Sequence, residues 1–194
     1  MIREFEILKS SRLKTGTSYM RPRQILPEHV NLGDPAISVM SDLSKVSVVV
    51  ARPTASMESA NTKMIRYGVR MLLVLDSNDQ VAGLLTASDI LGEKPMRFLQ
   101  NMGGTYTDIM VRDIMTTQRE LDVLKIDDVK TAEVGQIVAS LKKSGRQHSL
   151  VVQEGDDGRQ TVCGIFSITQ IARQLGTDLQ QTLADVDALA SSGH

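Results

Sequence analysis

"GLLTASDILG", residues Gly83 to Gly92, and "GIFSITQIAR", residues Gly164 to Arg173, are one pattern written twice. Each runs through a glycine, two apolar residues and a hydroxyl residue to a polar residue three positions on. The first uses Thr86 and Asp89; the second uses Ser167 and Gln170. A pattern that returns at this distance marks an internal repeat, which sets the reading of the rest of the chain.

Working outward from the first copy, the β-branched run "VSVVV" from Val46 predicts a strand and Arg52-Pro53 a break. Ala55 to Tyr67 follows as a helix, with Met57, Ala60, Met64 and Ile65 at helical spacing and Gly68 where a helix commonly ends. "MLLVLD" and "VAGLL" then read as strands joined by the turn "SNDQ", and a short helix starts at Ala87. The second half repeats this order. "LDVLKI" is a strand, Thr131 to Leu141 a helix ended by Gly145, "HSLVVQE" and "TVCGIF" strands around "GDDGRQ", and "SITQIARQL" the closing helix.

Gly68 and Gly145 are 77 residues apart, and Gly83 and Gly164 are 81 apart. The four extra residues are expected in the second, longer turn, where insertion costs least. Each unit is therefore β-α-β-β-α, an α+β arrangement too small to bury its sheet face alone. The two units are expected to pack against each other. Short apolar helical segments precede them, at Ala36 to Met40 and Ile109 to Met115, and "GEKPMRFLQNMGG" predicts a connector helix ended by Gly103-Gly104. The divisions are a basic arm over 1–33, repeats over 34–102 and 103–176, and an acidic tail over 177–194. The arm carries Arg3, Lys9, Arg12, Lys14, Arg21 and Arg23, and the tail Asp178, Asp185 and Asp187.

Composition narrows the function classes. A net charge of −1 gives no basic excess for nucleic acid. No apolar run approaches the roughly 20 residues that cross a bilayer, and "MIREFEILKS" is no signal peptide. The single Cys163 excludes an internal disulfide and suits a reducing cytoplasm. With no Trp, three Tyr and three Phe, the core falls to Ile, Leu, Val and the ten Met, which read as core filler.

The repeated turn has two readings. Thr86 with Asp89 forms a capping box, in which each side chain bonds a free backbone N–H of the first helical turn. Ser167 and Gln170 satisfy the same rule, so capping alone makes the two turns interchangeable. They differ in charge. A carboxylate at Asp89, beside a glycine that admits a ligand to the backbone, accepts hydrogen bonds from a vicinal diol such as a ribose. Gln170 lacks charge assistance, so its bonds are about half as strong. The chemistry thus points to an asymmetric protein with its better site at Asp89.

Other candidates offer less. His148 stands at a strand start beside Arg146, as either a satisfied surface histidine or a phosphate contact. His29 and His194 lie far off, with no Cys/His cluster at zinc spacing. Cys163 falls inside a strand as a small apolar residue with no base to activate it. Asp127-Asp128 and Asp156-Asp157 read as solvated turns. Walker and Gly-x-Gly-x-x-Gly loops are absent, leaving no support for phosphate transfer or dinucleotide chemistry.

Two β-α-β-β-α repeats, each ending in Gly-apolar-apolar-Thr/Ser-x-x-Asp or its variant, resemble a tandem pair of CBS (cystathionine β-synthase) domains, the Bateman module of stand-alone bacterial-type CBS proteins. "VRDIMT", from Val111 to Thr116, is similar to the lead-in of such repeats, and "AISVM" is a weaker version. The resemblance spans roughly Asp34 to Gly176. It implies repeats packed sheet to sheet with pseudo-twofold symmetry and no catalysis. The implied role is regulatory binding of AMP, ADP, ATP or S-adenosylmethionine between the repeats, with magnesium an allowed companion. By position it implies Thr86 and Asp89 for the ribose, and Val49, Val50, Ala51, Met71, Leu72 and Leu73 for the adenine. Arg70, Arg146 and His148 are implied for phosphates. Gln170 departs from the pattern and makes the site at Ser167 and Gln170 the weaker one, leaving one nucleotide per chain. A homodimer and an unidentified regulated protein are the implied partners, without nucleic acid or membrane. The alternative is a structural or interaction module with an empty cleft.

Overall fold

A computed structural model describes residues 24–178 and Thr182. The readings made at Arg3, Lys9, Arg12, Lys14, Arg21, Arg23, Asp185 and Asp187 lie outside the described residues.

The chain folds into two four-stranded sheets with helices around them. In the first repeat β2 (Val50–Ala51), α1 (Met57–Tyr67), β3 (Met71–Leu75), β4 (Val81–Thr86) and α2 (Ala87–Leu91) follow in order. The second supplies β6 (Val123–Lys125), α5 (Ile126–Thr131), α6 (Val134–Ser144), β7 (His148–Glu154), β8 (Gln160–Ser167) and α7 (Ile168–Leu175). The connector holds α3 (Lys94–Met102), and α4 (Val111–Ile114) precedes the second repeat. Gly68 and Gly145 end α1 and α6 at φ of 63° and 64°, a left-handed backbone that glycine adopts without a Cβ penalty.

Three differences from the sequence reading have local causes. Of "VSVVV", only Val50 joins a strand; Val46 to Val49 run along a cleft described below. The helix expected from Thr131 is two helices broken at Ala132 and Glu133, and Ile126 starts the first of them rather than ending a strand. Asp127 and Asp128 are exposed, as expected, but they sit in its first helical turn, where carboxylates favour the positive end of the helix dipole, rather than in a loop. The four extra residues lengthen the strands, not the turn. Both hairpin loops have five residues, 76–80 and 155–159, whereas β7 and β8 are each two residues longer than β3 and β4. Both hairpins carry a register shift at the same place, Val74/Leu75 and Val151/Val152.

The lead-in segments change places. The 3-10 turn Ala36–Val39 and β1 (Ser41–Asp42) precede the first repeat, yet β1 pairs with β8 of the second. Ala36 N donates to Ala132 O at 2.8 Å and Val134 N to Asp34 O at 2.9 Å. Reciprocally, β5 (Thr116–Thr117) pairs with β4, and Val111 N donates to Ala55 O at 2.9 Å. Each repeat's core is thus completed by the segment leading into the other. Ala36, Val39 and Met40 pack with Val134, Phe166 and Ile171; Ile109, Val111 and Ile114 pack with Met64, Leu72 and Leu85.

A third cluster joins the sheets face to face, with Met71, Leu73 and Leu84 against Leu150 and Ile165. Alternation along paired strands sends one side-chain set inward to each repeat's own core and the other to this interface. Met40, Met57, Met64 and Met71 are buried filler, whereas Met96 and Met102 are exposed. Cys163 lies half-buried in β8; burial raises its thiol's pKa, and Sγ donates to Val151 O at 3.5 Å.

Candidate functional site

Two clefts of similar size open between the repeats, one of about 410 Å³ and one of about 400 Å³. In the first, Thr86, Ser88, Asp89 and Lys94 face Ser144 to His148 of the second repeat. The other cleft reverses the contributions: Ser167, Thr169, Gln170 and Arg173 face Val46 to Val49 and Gly68 to Met71 of the first repeat. The repeats' pseudo-twofold relation produces this crossing, because the turn of one repeat opposes the strand entry of the other.

Asp89 is held from three sides. Its Oδ2 accepts from Thr86 N and Thr86 Oγ1, both at 2.7 Å, and its own N–H donates to Thr86 Oγ1 at 3.3 Å. The capping box is therefore real. Oδ1 takes an ion pair from Lys94 Nζ at 2.7 Å. Lys94 also donates to Ile114 O at 2.9 Å and to Thr116 Oγ1 at 3.5 Å, which uses all three ammonium donors. Asp89 is 8% exposed, so this is a buried carboxylate with a half-exposed lysine over it. Ser88 Oγ donates to Gln147 Oε1 at 3.3 Å and ties the cleft's walls across the repeats. Arg146 Nη2 donates to the Glu120 carbonyl. It lines both this cleft and an adjoining cavity of about 330 Å³ bounded by Val123, Leu124 and Leu141.

The second copy of the turn behaves differently. Ser167 makes no side-chain cap bond, and Gln170 does not reach back to the Ser167 N–H. Gln170 Nε2 instead donates to Val39 O at 3.4 Å and Gln174 Oε1 at 3.5 Å. The capping rule that Ser167 and Gln170 meet on paper is thus unused, because the neighbouring lead-in offers the longer amide a carbonyl.

The structure divides the residues singled out by sequence. Thr86, Asp89, Arg146 and His148 share the first cleft; Val49, Arg70 and Met71 share the second with Ser167 and Gln170. Ala51 and Leu72 are buried in the first repeat's core, while Leu73 is buried and Val50 half-buried between the sheets, so these four line neither cleft. Lys94 was not singled out, because the helix break at Gly92 separates it in sequence from Asp89. Arg173 was also missed, although it follows Gln170 by three residues and so shares its helix face.

His148 is not a satisfied surface histidine. It is 8% exposed, and its Nδ1 is buried without a hydrogen-bond partner among the described residues. Burial first, and the Arg70 cation second, push its pKa down from 6.5 to about 4, with Asp89 pulling the other way.

Residues 38–95, which contain β1 through α2 and the Thr86–Asp89 turn, match the family model described as the CBS domain. The first repeat is a CBS domain. The chain's fold is similar at low identity to that of solved proteins, several of them described as CBS-domain proteins. A conserved protein of Pyrococcus horikoshii is 22% identical with a TM-score of 0.52, covering 73% of this chain and 92% of that one. A CBS domain protein of Thermoplasma acidophilum is 20% identical with a TM-score of 0.52, over 79% and 78% of the two chains. The Arabidopsis thaliana CBS-pair protein CBSX2, solved in complex with AMP, is 21% identical with a TM-score of 0.50, over 73% and 95%. No curated protein matches the chain significantly. The second repeat lies beyond the family match and shares the CBS-pair fold through its repeated elements. No helix among the described residues is long and apolar enough to cross a membrane.

Proposed function

We propose that this CBS pair is a non-catalytic regulatory module that binds an adenosine nucleotide in the cleft at Asp89. The supporting observation is that cleft's donor set: a buried carboxylate carrying a displaceable lysine, with Arg146 from the opposite repeat beside it. A carboxylate offers about four lone-pair positions. Oδ2 is filled by the Thr86 pair, whereas Oδ1 carries only Lys94. A ribose diol fits Oδ1 in the lysine's place. The freed ammonium and Arg146 then face the phosphates, and the apolar cavity at Val123, Leu124 and Leu141 receives the base. That CBSX2 was solved with AMP accords with this ligand class. The exchange of Lys94 from Asp89 to phosphate is the movement that would report occupancy to a partner. With Gln170 in place of an acid, the second cleft lacks a ribose carboxylate, so one nucleotide per chain is expected.

One observation favours a structural reading instead. Asp89 is already satisfied without ligand, as a cap and ion-pair partner should be. Asp89→Asn separates the two. If the carboxylate holds a ribose, the variant loses about 2 kcal/mol of AMP binding, the value of charge-assisted hydrogen bonds. If it is only a cap, ligand-free stability falls by about 1 kcal/mol and no nucleotide shifts melting in either protein. A thermal-shift series with AMP, ADP, ATP, S-adenosylmethionine and a guanosine control reads both. Saturating ligand at a hundred times its dissociation constant adds about 2.7 kcal/mol, a visible change in Tm.

A further inference from the structure

His148 is the one side chain that lines all three of the cavities described above. It opens β7 opposite Ser167, in the place that Met71 takes opposite Thr86 in the first repeat. A methionine there needs no partner. An imidazole does, yet Nδ1 is buried and has none. Orphaned buried polar atoms are rare in folded proteins, and this one belongs to a residue that lines both clefts.

Burial first, and the Arg70 cation second, keep the ring unprotonated, and further charged groups line the cavities around it. Asp89 on α2 and Lys94 on α3 approach from the first cleft, with Arg146 just ahead of β7. Arg70, before β3, and Arg173 on α7 approach from the second, and neither has an ion-pair partner among the described residues. Asp122 and Lys143 face it across the adjoining cavity. Burial and Arg70 oppose a proton on the ring, and cations outnumber carboxylates among the residues lining these cavities, a surrounding that suits an anion. We propose that His148 takes up a proton when an anionic ligand enters either cleft, so that the two clefts share one charge-accepting side chain. A phosphate there cancels the local cationic field and offers the protonated ring an acceptor. Once charged, the ring also favours an anion in the other cleft. The inference deepens the nucleotide reading and rests on it.

The test is titration calorimetry with AMP and with adenosine at pH 7.5 and 5.5, on the wild type and on His148→Met, which installs the first repeat's residue. If bound phosphate restores the ring to its ordinary value of about 6.5, AMP affinity rises about tenfold between pH 7.5 and 5.5. Adenosine, without a phosphate, should show no such rise, and His148→Met should lose it. AMP's own phosphate titrates alike in both proteins and cancels in the comparison. Following the His148 ring by NMR in the wild type, with and without AMP, gives the same answer without a variant. AMP binding with the same pH dependence in both proteins overturns the proton role and leaves the nucleotide reading intact. Failure of AMP to bind at either pH overturns both.

Discussion

Gly83→Ala is expected to destabilise the protein by about 3 kcal/mol, and Gly164→Ala by about 1–2 kcal/mol, although the two glycines hold equivalent places in the repeats. A Cβ at Gly83 would lie closer to the Thr116 carbonyl oxygen than real Cβ atoms sit, with Met115 Sδ next at 3.2 Å. That carbonyl belongs to β5, which pairs with Gly83 and Leu84, so relief requires backbone movement. The same carbon at Gly164 meets only the Met40 side chain, whose Sδ and Cε can swing aside at the cost of some packing. Urea unfolding of the two variants checks the ranking, and equal losses would count against it. Thr116 also bonds Lys94, so Gly83→Ala should disturb the first cleft as well as the fold.

The second large effect is one of pH. The unfolded chain holds His148 at about 6.5, and the fold holds it at about 4. Between those values the unfolded state binds the proton and the native state does not, so stability rises with pH across that window. The contribution is complete above about pH 6.5 and is lost as pH falls through the window toward 4, on the order of 3 kcal/mol in all. Carboxylates add their own loss at the acid end, so the wild type must be compared with His148→Met from pH 7.5 to 4. The variant should show the shallower decline. Parallel curves would mean that the ring protonates in the fold as readily as in the unfolded chain.

Local chemistry was legible in the sequence; pairing across the molecule was not. The hairpins, the glycine ends of α1 and α6 and the Thr86–Asp89 box follow from residues within one or two turns of each other. The structure brings Asp89, Arg146 and His148 to one cleft. Grouping Thr86 and Asp89 with Val49, Arg70 and Met71 failed because the pseudo-twofold axis sets each turn against the other repeat's strand, a relation that no short window contains. The strand expected at Val46 failed for a related reason: a β-branched run suits a cleft wall as well as a ladder. The second box failed because Gln170 found the Val39 carbonyl, 131 residues away.

The exchanged lead-ins bear on how the chain can be synthesised and cut. Gln174 Nε2 donates to the Pro27 carbonyl, 147 residues earlier, at 2.7 Å, and Val30 packs in the same late-completed core. During translation the segment from Pro27 to Met40 leaves the ribosome well before α7, yet its docking surface is finished only when α7 has emerged. The first repeat closes earlier, as soon as Ile109 to Ile114 appears. High sequence separation of this kind slows folding and leaves the early segment waiting in an unpaired state. A fragment ending at the connector would lack Ile109, Val111 and Ile114 and leave its own hydrophobic interior open. Cut apart, each repeat is expected to expose part of its own core, which makes the interlocked pair the unit to excise.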